Sequence, residues 1–227
     1  VLAVGAHPDD IEIFMYGLLS IYKKKGHQVF TIIATDGAKG GAITGKKLAR
    51  ERINEAIKGL EKLSSPIFLN LPDGELGLEV EHAKIIKESI LKIMPDLIIT
   101  HSENDYHADH KSLSLITKGA VSHYIPVLYC DTLMGINFNP NYYVDITDYY
   151  RAKKNAILKH ISQNPQRFVD LFELMNSYRA AQCNSPKGNY AEAYSFIPSF
   201  PFSDIREFLP APIKIRSFYI EDQNGFL

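Results

Sequence analysis

Four short, almost entirely apolar stretches recur along the first half of the chain, and longer stretches of mixed polarity separate them. β-Branched residues dominate the apolar stretches, which is typical of parallel strands covered on both faces of a sheet. We therefore predict strands at VLAVGA (1–6), QVFTIIAT (28–35), PIFLNL (66–71) and PDLIIT (95–100).

The separating stretches have the spacing of amphipathic helices. Residues 46–63, for example, place Leu48, Ala56 and Leu60 along one stripe, with charged side chains on the opposite face. Alternating strands and helices indicate a parallel sheet with right-handed crossovers, so the predicted fold class is α/β, a Rossmann-like three-layer sandwich. The predicted helices span 10–25, 46–63, 78–94 and 108–123.

The pattern loosens after about residue 125. PVLYCDT and NYYVDIT predict two further short strands, and a helical hairpin is predicted over 147–182. The aromatic, proline-rich tail 190–220 is predicted to pack on the first half as a cap. We expect a single domain over 1–227, with a Rossmann-like core at 1–124 and a C-terminal extension at 125–227.

The composition is that of an ordinary globular protein, with 45% hydrophobic and 22% charged residues. At a formal net charge of −1, the chain lacks the basic surface that binds nucleic acid or an anionic membrane. No apolar run approaches the roughly 20 residues of a membrane span, and no signal-peptide pattern opens the chain. We expect a cytoplasmic protein with two reduced cysteines, Cys130 and Cys183, and a small-molecule partner. The sequence leaves open whether copies assemble into a homo-oligomer.

Polar side chains cluster where the first and fourth predicted strands end. HPDD (7–10) follows the first strand, and HSENDYHADH (101–110) follows the fourth. In a doubly wound sheet these strands are neighbours, and ligands bind at their carboxyl ends. His7, Asp10 and His110 then form a nitrogen, oxygen and nitrogen set that suits a zinc site with one open position. The spare acid and base groups are Asp9 and His107.

Simpler interpretations exist for each of these residues taken alone. Asp10 is placed to cap the N-terminus of the following helix. A single histidine after a strand is usually a surface residue, which applies to His101, His107 and His110 in turn. The coincidence of two such motifs on strands expected to be adjacent favours the metal site.

The motif AHPDD stands first in an ordered series along most of the chain. It is followed by TDGAKGG (35–41), RINE (52–55), LPDGEL (71–76), THSENDYHADH (100–110) and YAEAY (190–194). This series resembles the LmbE-like, PIG-L family of zinc-dependent N-acetylglucosaminide de-N-acetylases. The resemblance implies a hydrolase that removes acetate from an N-acetylated amino sugar of the GlcNAc type or from its conjugate.

The resemblance also implies a role for each residue of the two main motifs. His7, Asp10 and His110 would bind one zinc ion, and Asp9 would be the general base. Zinc lowers the pKa of bound water to about 7, so a neighbouring carboxylate can take its proton and return it to the leaving amine. Fe²⁺ or Mn²⁺ would also fit two histidines and an aspartate.

Three further catalytic roles follow from the resemblance. A protonated His107 would hold the developing oxyanion, and Asp109 would orient His107 and raise its pKa. Arg52 matches a family arginine that binds a sugar hydroxyl or the departing acetate in the pocket. The alternative for Arg52 is an exposed helix charge paired with Glu51 or Glu55.

Other residues in the matching motifs carry two interpretations each. Asp36 is either a support for the site or a turn residue. Glu192 and Tyr194 either line the sugar site or are buried in the cap. A further similar stretch contains Lys154, His160 and Gln163, which we expect to fix the packing and edges of the cap.

The chain departs from the family pattern directly after HPDD. Where many relatives have a glycine-rich helix start, this chain has the bulky residues Phe14, Met15 and Tyr16 before Gly17. This change bears on pocket depth and substrate size. Ala108 replaces a usual proline and should alter little, and every ligand and base position is kept.

Two functions of different classes remain. The first is the zinc amidohydrolase; the second is a metal-stabilised sugar-binding protein without turnover, suggested by the bulky residues 14–16 and the aromatic tail. A phosphoesterase is weaker, because it would need more carboxylates, commonly for two metals. Substrate choice is expected to depend on residues 36–46, residues 131–142 and the tail.

Overall fold

The protein is described by a computed structural model, which covers residues 1–41, 44–121 and 123–214. Within these ranges the strands are β1 (Leu2–Gly5), β2 (Phe30–Thr35), β3 (Ile67–Leu71), β4 (Ile98–Thr100), β5 (Val127–Cys130), β6 (Tyr142–Asp145) and β7 (Ala191–Phe196). The α-helices are α1 (Asp10–Phe14), α2 (Tyr16–Lys24), α3 (Lys46–Leu60), α4 (Val80–Ile93), α5 (Ala108–Val121), α6 (Thr147–Ile157) and α7 (Pro165–Gln182).

The seven strands form one sheet in the order β3-β2-β1-β4-β5-β7-β6. The first five are mutually parallel, and β7 pairs antiparallel with both β5 and β6. Leu2 of β1 lies opposite Ile98 of β4, so the first and fourth strands are neighbours as predicted. The predicted α/β fold class is confirmed.

Helices cover both faces of the sheet, which explains the continuous apolar strands. Leu2 and Val4 of β1 pack in one core with α4 and α5, whereas Ala3 faces a second core with α2, α3, α6 and α7. Every residue of β1, β4 and β5 is buried. Because both faces are covered, these strands need no polar alternation.

The predicted helix 10–25 is wrong in one respect, because it is two helices. Met15 separates α1 from α2 with φ −130° and ψ −6°, outside the helical region. The amides of Gly17 and Leu18 donate to the carboxylate of Glu192, at 2.9 and 2.8 Å. The first turn of α2 is therefore capped by a side chain from β7 instead of continuing α1.

Glu192 is the centre of a buried polar group. Its carboxylate also accepts from Lys153 Nζ and from the hydroxyl of Tyr194, both at 2.8 Å. These contacts decide between the two interpretations of Glu192 and Tyr194, since both residues are buried structural groups that do not line the candidate pocket.

The C-terminal tail also differs from the prediction. Its residues 191–196 form β7 and insert into the sheet between β5 and β6, where the sequence analysis expected a cap packed on the first half. Residues 215–220 of the predicted tail lie outside the described residues. The organisation of 1–227 as a single domain stays a prediction.

The structure bears on two expectations from the composition, those on membrane spans and on the cysteines. None of the described helices is long and apolar enough to cross a membrane. Cys130 and Cys183 are free thiols, as predicted.

The Lys153–Glu192 pair provides a stability test with a neighbouring control. Lys153→Met leaves the Glu192 carboxylate buried without its cation, so we expect the free energy of unfolding to fall by about 3–5 kcal/mol. Lys154→Met removes an exposed ion pair between Lys154 and Glu173, in which the two side chains are 40% and 48% exposed, respectively. Its effect should stay below about 1 kcal/mol. Urea unfolding of both variants measures the two changes in the free energy of unfolding. Equal losses would contradict the assignment of Lys153 as the buried counter-charge of Glu192.

Candidate active site

The candidate site lies at the carboxyl ends of β1 and β4, where the fold class predicts a ligand site. HPDD follows β1 after Ala6, and residues 101–110 connect β4 to the first turn of α5. A cavity of about 430 Å³ opens there. Of the residues predicted for the site, its walls contain His7, Asp9, Asp10, Arg52, His107 and His110.

Asp10 is the point at which the predicted metal ligands meet. Its Oδ2 lies 3.3 Å from Nδ1 of His7, and its Oδ1 lies 3.3 Å from Nε2 of His110. Oδ2 also accepts the backbone amide of His7 at 2.6 Å. Because Asp10 makes this bond outside α1, the alternative that it serves as an N-cap is wrong.

Carboxylates hold the outer nitrogens of both candidate imidazole ligands. Nε2 of His7 lies 3.2 Å from Asp109 Oδ2 and 3.3 Å from Asp73 Oδ1. Nδ1 of His110 lies 2.9 Å from Asp105 Oδ2. A ring nitrogen beside a carboxylate carries the hydrogen, so a neutral imidazole turns its other, unprotonated nitrogen inward.

The inner nitrogens of His7 and His110 face the Asp10 carboxylate, and without a metal the protons on these imidazoles balance its charge. A divalent cation can take the place of those protons, because each neutral imidazole then offers an electron pair beside the carboxylate. Carboxylates behind imidazole ligands are typical of metal sites. The residues present fit a divalent metal. Among the described residues, ligand atoms lie within 4.8 Å of one another in three overlapping sets: His7, His107 and His110; Asp10, His101 and His110; and His7, Asp73 and Asp109. His7 and Asp10 share none of these sets, and His110 links them as a member of the first two.

The pKa shifts agree with a site that attracts positive charge. Burial lowers the pKa of His7 and His110, but the charge of Asp10 and hydrogen bonds to carboxylates outweigh it. The pKa of His110 rises to about 9, and that of His7 rises well above its ordinary value. Burial raises the pKa of Asp10, yet the surrounding imidazoles bring it well below the usual range.

His101 is a third buried imidazole that the sequence analysis treated as a surface residue, which is wrong. Its Nε2 accepts the Ala6 amide at 3.1 Å and lies 3.1 Å from Asp10 Oδ2. Its ring stacks on His110 at 3.7 Å. Burial, followed by the charge of His110, lowers its pKa to about 4, so His101 stays neutral.

Asp9 occupies a backbone conformation that side chains rarely adopt, with φ 137° and ψ −24°. Such strain persists only where the surroundings enforce it, and it is frequent at functional sites. Burial raises the pKa of Asp9, and the charge of Arg52 opposes this shift. The pKa values of the adjacent Asp9 and Asp10 are therefore shifted in opposite directions. Imidazoles surround Asp10, whereas at Asp9 burial outweighs the charge of the Arg52 guanidinium.

Arg52 holds Asp9 in place. Its Nη2 donates to Asp9 Oδ1 at 3.1 Å and to the Pro8 carbonyl at 3.0 Å, while Nη1 donates to the Gly37 carbonyl at 3.0 Å. Arg52 is only 3% exposed, and Glu55 binds Ser162 instead. The alternative of an exposed helix charge paired with a glutamate is therefore wrong.

The predicted pairing of His107 with the Asp109 carboxylate is wrong. The Asp109 carboxylate accepts the amides of Gly74 and Leu76, at 2.7 and 3.2 Å, and reaches His7. Only the backbone amide of Asp109 contacts His107, donating to its Nδ1 at 3.3 Å. Burial and then the charge of His7 lower the pKa of His107, contrary to the predicted rise.

Sequence reasoning missed Asp73 and Asp105 as site residues. Both lie in quoted motifs and both line the cavity. Carboxylates at neighbouring strand ends were the available signal, but their pairing with particular imidazoles depends on loop geometry. Asp36, by contrast, accepts the Ala38 amide at 3.0 Å as a turn residue.

The remaining predicted positions divide between cavity and packing. Gln163 lines the cavity, whereas His160 contacts Glu12 at 2.8 Å in the interior. Of the expected substrate-binding segments, 36–46 contributes Lys39 and Gly40 to the cavity and 131–142 contributes Leu133. No described residue of the tail 190–214 lines it.

Known proteins resemble this chain in both sequence and fold. Diacetylchitobiose deacetylase of Thermococcus kodakarensis is 29% identical over 224 residues, which cover 87% of this chain and 83% of the relative. N,N′-diacetylchitobiose deacetylase of Pyrococcus horikoshii superposes with a TM-score of 0.75 at 23% identity, covering 87% of this chain and 83% of that structure. GalB, the 4-carboxy-2-hydroxymuconate hydratase of Pseudomonas putida, superposes with a TM-score of 0.77 at 18% identity, covering 90% of this chain and 98% of that structure.

The first half of the chain carries the family match. The sequence profile described as PIG-L, GlcNAc-PI de-N-acetylase, matches residues 2–121, which include both main motifs and the arginine that holds Asp9. The chain therefore belongs to the PIG-L family.

Proposed function

We propose that this protein is a metal-dependent hydrolase that removes acetate from an N-acetylated amino sugar of the GlcNAc type or from its conjugate. The observation that carries this proposal is the convergence of His7, Asp10 and His110 beside a strained, arginine-held Asp9 in one cavity. Membership of the PIG-L family and the deacetylase relative support it.

The metal would be held by Nδ1 of His7, the Asp10 carboxylate and Nε2 of His110. We propose one Zn²⁺ per chain, and Fe²⁺ or Mn²⁺ would suit the same donors. When bound, such a metal supplies positive charge that acidifies water and polarises the acetamide carbonyl.

Asp9 would act as the general base. It lies next to Asp10 and faces the cavity, so its carboxylate can take a proton from the attacking water. Addition of water to the carbonyl and cleavage of the C–N bond give acetate, and the proton returns from Asp9 to the leaving amine. Arg52 fixes the Asp9 carboxylate for both transfers.

His107 would stabilise the oxyanion without being protonated. Because its Nδ1 accepts the Asp109 amide, a neutral His107 carries its hydrogen on Nε2 and can donate it. Its ring lies 4.7 Å from the rings of both His7 and His110, beside the proposed metal. Asp109 would support His7.

We also propose a cytoplasmic location. The support is the small net charge and the two free thiols, Cys130 and Cys183, which suit a reducing compartment.

The first test is metal content together with acetate release. The purified protein should hold one divalent ion per chain by elemental mass spectrometry and release acetate from GlcNAc or its conjugates. Chelation should abolish release, and Zn²⁺, Fe²⁺ or Mn²⁺ should restore it. Full activity without metal would refute the mechanism. Tight sugar binding with metal present but no acetate from any conjugate would instead favour a sugar-binding protein.

The second test replaces the proposed base. Asp9→Asn keeps the shape and the contact to Arg52 but cannot take the proton, so kcat/KM should fall about 10²–10⁴-fold with unchanged metal content. Asp96→Asn is the control, because Asp96 is exposed at the opposite end of β4. Deacetylation kinetics that match the wild type in Asp9→Asn would exclude Asp9 as the base.

The third test concerns the carboxylate behind His110. Asp105→Asn removes the charge that holds Nδ1 of His110, and loss of such a support typically weakens metal affinity about 10–100-fold. Competition with a chromophoric chelator measures the dissociation constant. Glu103→Gln is the matched control, since Glu103 pairs with Lys118 at 3.3 Å and is not among the residues that line the cavity. An equal affinity in both variants would contradict the role of Asp105.

A further inference from the structure

Phe14 is the aromatic wall of the cavity nearest to the candidate metal ligands. We propose that Phe14 determines which acyl group the enzyme removes, admitting an acetyl group and excluding longer acyl chains. This inference rests on the proposed function and extends it to the acyl side of the substrate.

The bulky segment after HPDD is divided by the break at Met15. Met15 and Tyr16 are buried in the core, at 0% and 2% exposure, and do not line the cavity. Phe14, the last residue of α1, does line it. One of the three bulky side chains therefore lines the cavity, and the Tyr194 hydroxyl that donates to Glu192 lies 3.4 Å from the Phe14 carbonyl.

The Phe14 ring is held on two sides. Its centroid lies 6.1 Å from the His110 ring and 5.9 Å from the His101 ring, both in edge-to-face orientation. Behind it, Phe172 of α7 packs at 5.2 Å, also edge to face, and is only 2% exposed. Because close-packed interiors yield little, the ring cannot retreat to admit a larger group.

The cavity wall contains both polar and apolar residues. Arg52 donates to Asp9 at 3.1 Å and Gln163 also lines the wall, whereas Ile13 and Phe14 supply buried apolar surface, with the Phe14 ring against that of His110. A substrate carbonyl at the proposed metal has the sugar nitrogen on one side and the acyl carbon chain on the other. Sugar hydroxyls need hydrogen-bond partners and a methyl group does not, so the acyl chain belongs on the Phe14 side.

Phe168 is the other phenylalanine in the cavity wall, but its position differs. Its half-buried ring contacts the guanidinium of the exposed Arg167 at 4.5 Å, near the start of α7. Phe14 contacts the candidate ligand His110 itself. Acyl selection is therefore assigned to Phe14, and Phe168 serves as the matched control.

The experiment compares N-acetyl, N-propionyl and N-butyryl glucosamine, or the same acyl series on the best conjugate, with free amine as the common product. In the metal-loaded wild type, kcat/KM should fall about 10–200-fold for one added methylene. Phe14→Ala should reduce that acetyl-to-propionyl ratio at least about tenfold, and Phe14→Leu should reduce it less. Phe168→Ala should leave the ratio unchanged.

The outcomes separate this inference from the proposed function. A wild type that releases acetate but shows the same acyl ratio as a folded, metal-loaded Phe14→Ala protein overturns the role of Phe14. So does a ratio that changes in Phe168→Ala instead. If Phe14→Ala fails to fold, the ratio in Phe14→Leu decides in the same way. Release of no amine from any substrate by the wild type overturns the proposed function itself.

Discussion

The structure of the site depends on one constraint, the burial of the Asp10 carboxylate among imidazoles. A buried charge is costly unless opposite charge or hydrogen bonds compensate it. Pairing of β1 with β4 brings His7 and His110 to either side of Asp10. Carboxylates behind both imidazoles keep their inner nitrogens directed at Asp10, where protons on the imidazoles or a bound cation balance its charge. The candidate metal site is thus a consequence of how the fold satisfies a single carboxylate.

The surrounding acidic groups are restrained chiefly by the backbone. Two amides of the turn after β3, Gly74 and Leu76, bind Asp109, and the Lys39 amide binds Asp73 at 2.9 Å. Asp9 instead relies on Arg52, which must overcome both burial and an unfavourable backbone conformation. This difference suits the proposed roles, because support carboxylates should stay fixed while the base must exchange a proton.

Much of this arrangement could be predicted from local pattern. Apolar runs and their spacing indicate four of the five parallel strands, and topology makes HPDD and HADH (107–110) neighbours. The partner of Asp109 could not be predicted, because the direction of its side chain depends on the turn at residues 72–76. Strand β7 could not be predicted either, because its buried Glu192 interrupts the apolar pattern expected of a covered strand. The charge of Glu192 is compensated by Lys153, which is distant in sequence. Local periodicity does not contain such long-range compensation.

The break at Met15 links these distant contacts to chemistry. Since Glu192 caps α2 independently, α1 is free to be a single short helix that starts at the candidate metal ligand Asp10 and ends at Phe14. The two positions with proposed roles, Asp10 and Phe14, are then about one turn apart on the same short helix. Had the helix continued through Met15, the three bulky side chains would have pointed about 100° apart around a single axis. The capped break instead sends Met15 and Tyr16 into the core while Phe14 stays beside the ligands.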